Sequence, residues 1–361
     1  MNLLSKKSFK DKLNTWYIAN KRNLPWRETK NPYHIWVSEV MLQQTQVITV
    51  IDYFNRFIDY FPDIKTLSQA DLQAVLKHWE GLGYYSRARN LHRAARQLIE
   101  DNRFDVPDTP EEFRKLMGVG DYINAAVQSI AFGHALAVVD GNVKRVLSRV
   151  FMMDMPVNQS GAHAAFYDKA SLLLDENDPS TSNQAMMELG ALVCKPKRPL
   201  CGACPVSRFC KAFKNKRTDE YPKRVTPRKI PTRQMVAGLI VKNDQFLIVQ
   251  REEHGFLGGM WELPGGPVTI ESPEESLASA VKKRTGISVT VTAHLTHVGH
   301  AYTHFKLKLS VYLCHPVSPV TRLTADANRT WIHPKDIPEY PFHKAMHKCF
   351  PKVIDYFRKA S

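Results

Sequence analysis

Four cysteines in one short stretch, CKPKRPLCGACPVSRFC, constrain this chain more than any other feature. Cys194, Cys201, Cys204 and Cys210 follow the spacing C-x6-C-x2-C-x5-C within a prolyl and basic loop. Thiols gathered this densely point to a metal, and thiolate chemistry alone admits either zinc or an iron–sulfur cubane. A disulfide framework is the poorer reading. The N-terminus, MNLLSKKSFKDKLNTW, has no signal-peptide core or cleavage site, and no apolar run reaches membrane-spanning length. The expected setting is therefore a reducing cytosol, where disulfides do not persist, with no membrane partner.

From about residue 8 to 212 apolar residues recur at helical spacing. YHIWVSEVMLQQTQVITVIDYFNRF places Trp36, Val40, Val47, Ile51 and Phe54 on one helical face. LMGVGDYINAAV, from Leu116 to Val127, reads as a helix end, a Gly-x-Gly turn and a new helix, which is the sequence form of a helix-hairpin-helix. Gly118 and Gly120 let the backbone approach a phosphate, and the next helix offers unpaired N–H groups to it. The 50 Lys and Arg against 35 Asp and Glu, net +15, suit a polyanionic partner such as nucleic acid.

LAVVDGNVKRV then places Asp140 directly after an apolar run. A carboxylate there loses solvation unless a donor or a positive charge compensates it. One reading is an N-cap for the helix carrying Val143, Val146, Leu147 and Val150. The other is an anion held ready for a positive charge that develops during a reaction.

LPWR at 24–27, WVSEVMLQQT at 36–45, WEGLGYYSRARNL at 79–91, VDGNVKRVLSR at 139–149 and MELGALVC at 187–194 occur in an order and form similar to the adenine DNA glycosylase family, within the endonuclease III superfamily. The resemblance favours a [4Fe-4S] cluster on the four cysteines. It implies excision of adenine mispaired with 8-oxoguanine or guanine in double-stranded DNA, by hydrolysis of the N-glycosidic bond. Glu39 falls on the catalytic acid and Asp140 on the second carboxylate, which stabilises the oxocarbenium ion. Tyr122 and Asn142 fall on the residues that support them. Beside Trp36, Val40 and Met41, Glu39 is expected to have its pKa raised by desolvation, while Asp140 stays ionised. Glu188 matches the contact to the flipped adenine. Gln43, Gln44 and Thr45 line the gap in the base stack, and Leu82 and Tyr84 wedge beside the orphan base.

Three positions depart from the family pattern, one of them Thr303 in the C-terminal domain, where Ser is usual and the hydroxyl is retained. Gln46 stands where Arg is usual, which bears on one DNA contact. Asp121 stands where Pro is usual and brings a negative charge to the phosphate-binding turn, with a weaker contact expected. Strand-cleaving relatives carry a Schiff-base Lys in this turn; here Tyr122 occupies the position, so a monofunctional enzyme is expected.

Residues 211–234 hold nine basic and two acidic residues, with prolines at 222, 227 and 231. They read as a semi-extended connector able to follow a phosphate backbone. MVAGLIVKNDQFLIVQR then reads as strand, turn at Asn243-Asp244 and strand, with a helix near 273–284 and further strands near 288–315. MWELPGGPVTIESPEESLASAVKKRTGISV resembles the Nudix box: Gly265, Glu271, Val281, Gly286 and Ile287 fit it. Ala280, Lys283 and Arg284 replace its metal-binding glutamates and Ser279 its arginine, which argues against a pyrophosphohydrolase, because hard cations need oxygen ligands. The resemblance assigns 8-oxoguanine recognition to this domain, through Tyr302, Thr303 and His304 of HAYTHF.

The expected architecture is multidomain. An all-α helix-hairpin-helix glycosylase domain with an iron–sulfur loop spans 1–215, its six-helix part about 25–134 and its iron–sulfur part formed by the N-terminus plus about 135–215. A basic connector at 216–234 leads to an α+β Nudix-like domain at 235–361. A monomer in a bacterial cytoplasm, associated with the nucleoid, is the expected form, and a replication-clamp contact is compatible with it. A DNA-binding scaffold without catalysis would lack Glu39 or Asp140; both are present.

Overall fold

The computed structural model describes residues 3–226, 229–269, 272–318 and 328–360; Pro227 and Glu271 lie outside them. The chain divides by contact into two units, Met1–Gln69 with Arg93–Pro227 and Ala70–His92 with Arg228–Ser361. The sequence reading keeps 70–92 with the helical domain. In the structure this segment groups with the C-terminal unit, where Gln73 Nε2 donates to Gly259 O, Lys77 Nζ to Tyr340 O and Arg89 Nη1 to Gly258 O.

The first unit is helical. Phe9, Leu13 and Tyr17 of helix Leu3–Asn20 pack with Val143, Val146, Leu147 and Val150 of Gly141–Phe151, and with Phe166, Ala185, Met186 and Leu189 of Ala162–Leu173 and Pro179–Leu192. Each large side chain buried here is worth about 1.5–3 kcal/mol. Around the QQT stretch the expected single helical face is broken. Helix Pro32–Leu42 ends, Gln44 takes φ +58°, and a new helix runs Val47–Tyr60. That left-handed turn resets the helical phase, so Trp36 and Val40 are buried while the second helix buries Val50, Phe54 and Phe57 and leaves Val47 and Ile51 half-buried.

The connector is shorter than the sequence suggests. Arg149 Nε donates to the carbonyls of Thr218 and Tyr221, Tyr221 Oη to Asp154, and Val157 N to Lys223 O. Asn158 exchanges two hydrogen bonds with the Val225 backbone. Residues through Val225 are thus bound to the helical unit, since their carbonyls satisfy buried donors that charge counting does not reveal.

Among the described residues the second unit holds seven strands: β1 Thr232–Lys242, β2 Gln245–Gln250, β3 Trp261–Glu262, β4 Gly265–Pro267, β5 Val289–Ala301, β6 Lys306–Pro316 and β7 Arg329–Ile332. The main order is β3-β2-β1-β6-β5, with β4 on β1 and β7 on β2. β1 and β6 are parallel, and the other pairings are antiparallel. A β-carbon at Gly265 would lie 2.0 Å from the Val236 carbonyl oxygen, so only glycine permits β4 to approach β1 this closely. Helix Pro273–Thr285 covers one face through Leu277 and Val281. Its start is fixed by Ser272 accepting from Glu275 N, and its end by Gly286 at φ +74°. Lys282, Lys283 and Arg284 occupy the last turn, where cations suit the helix dipole. The other face packs on Phe342, Met346, Phe350 and Val353. No helix among the described residues is long and apolar enough to cross a membrane.

Candidate active site and nucleic-acid interface

In the helical unit, Glu39, Thr45, Tyr122, Asp140, Asn142 and Glu188 line one cavity of about 130 Å3. Glu39 is 4% exposed on helix Pro32–Leu42, where its neighbours Trp36, Val40 and Met41 are also buried. Burial pushes its carboxyl up to about 7; the nearby Asp140 adds to the rise, whereas the Tyr122 hydrogen bond and Arg27 oppose it. Tyr122 Oη donates to Glu39 Oε2 at 2.5 Å.

Asp140 is both the cap and a wall of the cavity. Its Oδ1 accepts from Val143 N at 2.6 Å, as an N-cap of helix Gly141–Phe151 does, and its Oδ2 accepts from Asn142 Nδ2 at 2.9 Å. Burial raises its carboxyl above the ordinary range; Val143 N–H, the Asn142 amide and Arg145 act against that rise. Asn142 Oδ1 accepts from Arg145 Nη2 at 2.8 Å, and the same guanidinium reaches the carbonyls of Gly190 and Cys194. A continuous hydrogen-bonded path therefore joins the first cysteine's backbone to Asp140. Arg145 lies within the stretch that carries Asp140, yet nothing in its spacing marks this bridging role.

Glu188 lines the cavity but its oxygens are already engaged. Arg22 donates from N, Nε and Nη2, and Arg27 from Nη1 and Nη2, at 2.6–3.0 Å. These two guanidiniums hold its carboxyl down to about 2 despite burial. The sequence reading missed Arg22 entirely. Gln43 and Gln44 occupy the turn beyond helix Pro32–Leu42, outside the cavity lining, while Thr45 N donates back to Leu42 O.

At the helix-hairpin-helix turn Gly118 adopts φ +82°, the left-handed value that favours glycine, and Gly120 precedes helix Asp121–Ala131 in an extended conformation. The charge of Asp121 is met by Arg114, whose Nε and Nη2 donate to Oδ1 at 3.1 and 2.9 Å. The negative charge expected at this turn is therefore part of an exposed ion pair.

Cys194, Cys201, Cys204 and Cys210 line one small cavity of about 30 Å3 with Val146, Leu189 and Val206. Arg149 Nη1 donates to Cys194 Sγ at 3.2 Å. Among the described residues, no three His, Cys, Asp or Glu are grouped as for a single metal ion.

In the C-terminal unit, Leu82, Tyr84, Tyr302, Thr303 and His304 line a cavity of about 330 Å3. Gly81 at φ +99°, Gly83 at +74° and Tyr84 at +49° form a left-handed turn that leaves Leu82 buried and Tyr84 more than a third exposed. The hydroxyls of Tyr84 and Thr303 stand 2.5 Å apart. Tyr302 N donates to Phe305 O, closing the tip between β5 and β6. In a separate cavity Glu262 is gripped by Arg251 at 2.9 Å and Arg284 at 2.5 Å, with His343 Nε2 at 3.3 Å. His343, Arg251 and Arg284 hold its carboxyl well below the ordinary range in spite of burial. Arg284, which stands where the Nudix box has a metal-binding glutamate, is thus engaged as a cation in an ion pair with Glu262.

Residues 37–162 match the HhH-GPD superfamily base excision DNA repair protein model and 236–352 the NUDIX domain model. Adenine DNA glycosylase of Rattus norvegicus is 33% identical, covering 98% of this chain and 79% of the relative. That of Homo sapiens is 34% identical, covering 95% and 73%. Among solved structures, a thermostable thymine-DNA glycosylase aligns at TM-score 0.54 and 29% identity over 58% of this chain and 97% of its own. An endonuclease III trapped as a covalent intermediate with DNA shares the fold at TM-score 0.51, with 22% identity over 60% of this chain and 99% of its own. With relatives matching across nearly its whole length, the chain belongs to the adenine DNA glycosylase family.

Proposed function

We propose that this protein removes adenine mispaired with 8-oxoguanine or guanine from double-stranded DNA, leaving an abasic strand uncleaved. The observation that carries the reading is the pairing of two unlike carboxylates in one cavity. Glu39 is buried, accepts a hydrogen bond from the Tyr122 hydroxyl, and has its carboxyl pushed up to about 7. Asp140 has the Val143 N–H and the Asn142 amide to hold its charge. As the N-glycosidic bond breaks, its electron pair leaves with adenine and Glu39 gives its proton to a ring nitrogen. Asp140 offsets the positive charge developing on the sugar. Water then adds at the anomeric carbon and its proton returns to Glu39. A positioned acid of this kind supplies roughly 10²–10⁴-fold. Glu188 serves by holding Arg22 and Arg27 on the cavity where the flipped adenine enters.

The four cysteines suit a [4Fe-4S] cluster. They are soft donors spread around a small, largely apolar cavity, and Arg149 already faces one sulfur. When bound, the cluster would supply an electrostatic and structural brace for the loop; Cys194, Cys201, Cys204 and Cys210 would hold it.

Lesion recognition falls to the C-terminal unit. Support comes from the Tyr84 and Thr303 hydroxyls meeting at the rim of one cavity. 8-Oxoguanine adds a C8 oxygen and an N7 proton, and one or two hydrogen bonds at that place convert the difference into about 1–3 kcal/mol. The test is the ratio of single-turnover excision rates for adenine opposite 8-oxoguanine and opposite guanine. Thr303→Ala should lower that ratio, and a loss of no adenine from either duplex by the unaltered protein would refute the whole reading.

A further inference from the structure

Arg89 is only 7% exposed, on the first turns of helix Ser86–Glu100 that follow the GLGYY turn. Its Nη1 donates to Gly258 O at 2.8 Å and its Nη2 to Gly255 O at 3.3 Å. Those carbonyls bracket Phe256 and Leu257, and the backbone is left-handed at both Gly255 and Leu257. The loop has no slack: a β-carbon at Gly258 would lie 2.1 Å from Glu253 O. Phe256 presents its ring edge-on to Tyr302 at 4.9 Å and to Phe305 at 5.1 Å. Tyr302 and Phe305 close the tip that carries Thr303 and His304.

We propose that Arg89 is a specificity-positioning residue for lesion recognition, acting through Phe256 on the Tyr302–Phe305 tip. The proposal rests on the reading of that tip as the part that inspects 8-oxoguanine. A planar guanidinium can serve two carbonyls at once, which an ammonium on a flexible stem cannot do in the same geometry. The same segment carries Tyr84, whose hydroxyl meets Thr303. Arg89 therefore ties the loop that carries Phe256 to the segment that carries Tyr84, and a small displacement of the tip separates the Thr303 hydroxyl from its partner. Phe256 transmits the constraint by ring packing, a contact that tolerates little sideways movement.

The experiment uses the full chain and the excision-rate ratio for adenine opposite 8-oxoguanine and opposite guanine, at fixed salt, with Arg89→Lys, Phe256→Leu, Thr303→Ala and the Arg89→Lys/Thr303→Ala double variant. Arg89→Lys should lower the ratio roughly three- to tenfold, about the worth of one hydrogen bond, with much the smaller change in the rate opposite guanine. Phe256→Leu should lower it in the same direction, which keeps the test decisive if Arg89→Lys folds poorly. The double variant should discriminate no worse than Thr303→Ala alone, since both act through one tip. A ratio unchanged by Arg89→Lys and Phe256→Leu, while Thr303→Ala lowers it, overturns the proposal and leaves lesion reading by the tip intact. A ratio unchanged by Thr303→Ala overturns that underlying reading as well, and fully additive losses in the double variant rule out the route through the tip.

Discussion

A β-carbon added at Gly190 would lie 2.6 Å from the Asn142 β-carbon, closer than two such atoms ever pack. Helix Pro179–Leu192 can support Asn142 only because this position has no side chain. Gly190→Ala must therefore displace Asn142 from Asp140 and from Arg145, whose guanidinium also bonds to the Gly190 carbonyl. Single-turnover excision should fall by roughly 10²-fold, as expected for a misplacement near 1 Å. Far-ultraviolet circular dichroism should remain near that of the unaltered protein. A rate within experimental error of the original would show that Asn142 need not be held in place.

Glu39 ties activity and stability to the same proton. The acid must be protonated to act, so excision should decline as pH rises through about 7, the value to which burial pushes its carboxyl. The stability sign follows from the same shift. The folded state holds the proton more tightly than the unfolded chain, so this contribution is fully present below the ordinary 4.5 and is lost as pH rises through about 7. Glu39→Gln should abolish excision by several orders of magnitude. It should also be more stable than the original at pH 8, by on the order of 1–3 kcal/mol and so with a higher unfolding temperature, with the gap closing by pH 5. Thermal melts at the two pH values decide the matter.

Position 122 presents a phenol to the cavity where a strand-cleaving relative would present an amine. Burial and the neighbouring Glu39 and Asp140 raise the Tyr122 phenol well above its ordinary range, so it stays protonated and donates to Glu39. Borohydride should trap little covalent protein–DNA product, and the abasic strand should stay intact until treated with alkali. Efficient trapping by the unaltered protein would assign it to the bifunctional class.

The cysteine loop makes an analytical prediction. Protein purified without oxygen should carry about four irons per chain and absorb broadly in the visible. Cys204→Ser should lower iron content and excision together, because the Cys194 backbone is joined through Arg145 to Asn142. Stoichiometric zinc with no iron would contradict a cubane.

Arg114 and Asp121 give a test on DNA affinity. Both are largely exposed, so their pairing contributes at most about 1 kcal/mol to stability. Removing only the cation leaves an unopposed carboxylate at the helix-hairpin-helix turn. Arg114→Ala should weaken duplex binding at low salt, and adding Asp121→Asn should recover part of the loss. Equal affinities for the two variants in a salt titration would mean that this turn does not meet the phosphate backbone.

The sequence alone determines the chemistry that is available here. Local patterns suffice for that: four thiols in one loop, an Asp before a helix, a Gly-x-Gly turn, and Lys283 and Arg284 where a Nudix metal site needs carboxylates. They also determine elements whose signals are short-range, such as the Asn243 hairpin and helix Pro273–Thr285 with its Ser272 cap and Gly286 stop. What tertiary structure alone decides is which donors reach which acceptors across long separations in the chain. Asp140 proves to be an N-cap that also lines the cavity with Glu39, a placement that the sequence, weighing a cap against an anion awaiting a developing charge, does not reveal. Glu188 lies beyond residue 180 yet is engaged by Arg22 and Arg27, residues 223–225 close on 157–158, and Arg89 holds the loop at 255–258. Periodicity carries none of this information, because a hydrogen bond depends on the angle and position of two side chains that only packing brings together. The left-handed turn at Gln44 shows the same limit on a smaller scale: the apolar pattern runs straight through it, and only the folded backbone reveals that the helix stops.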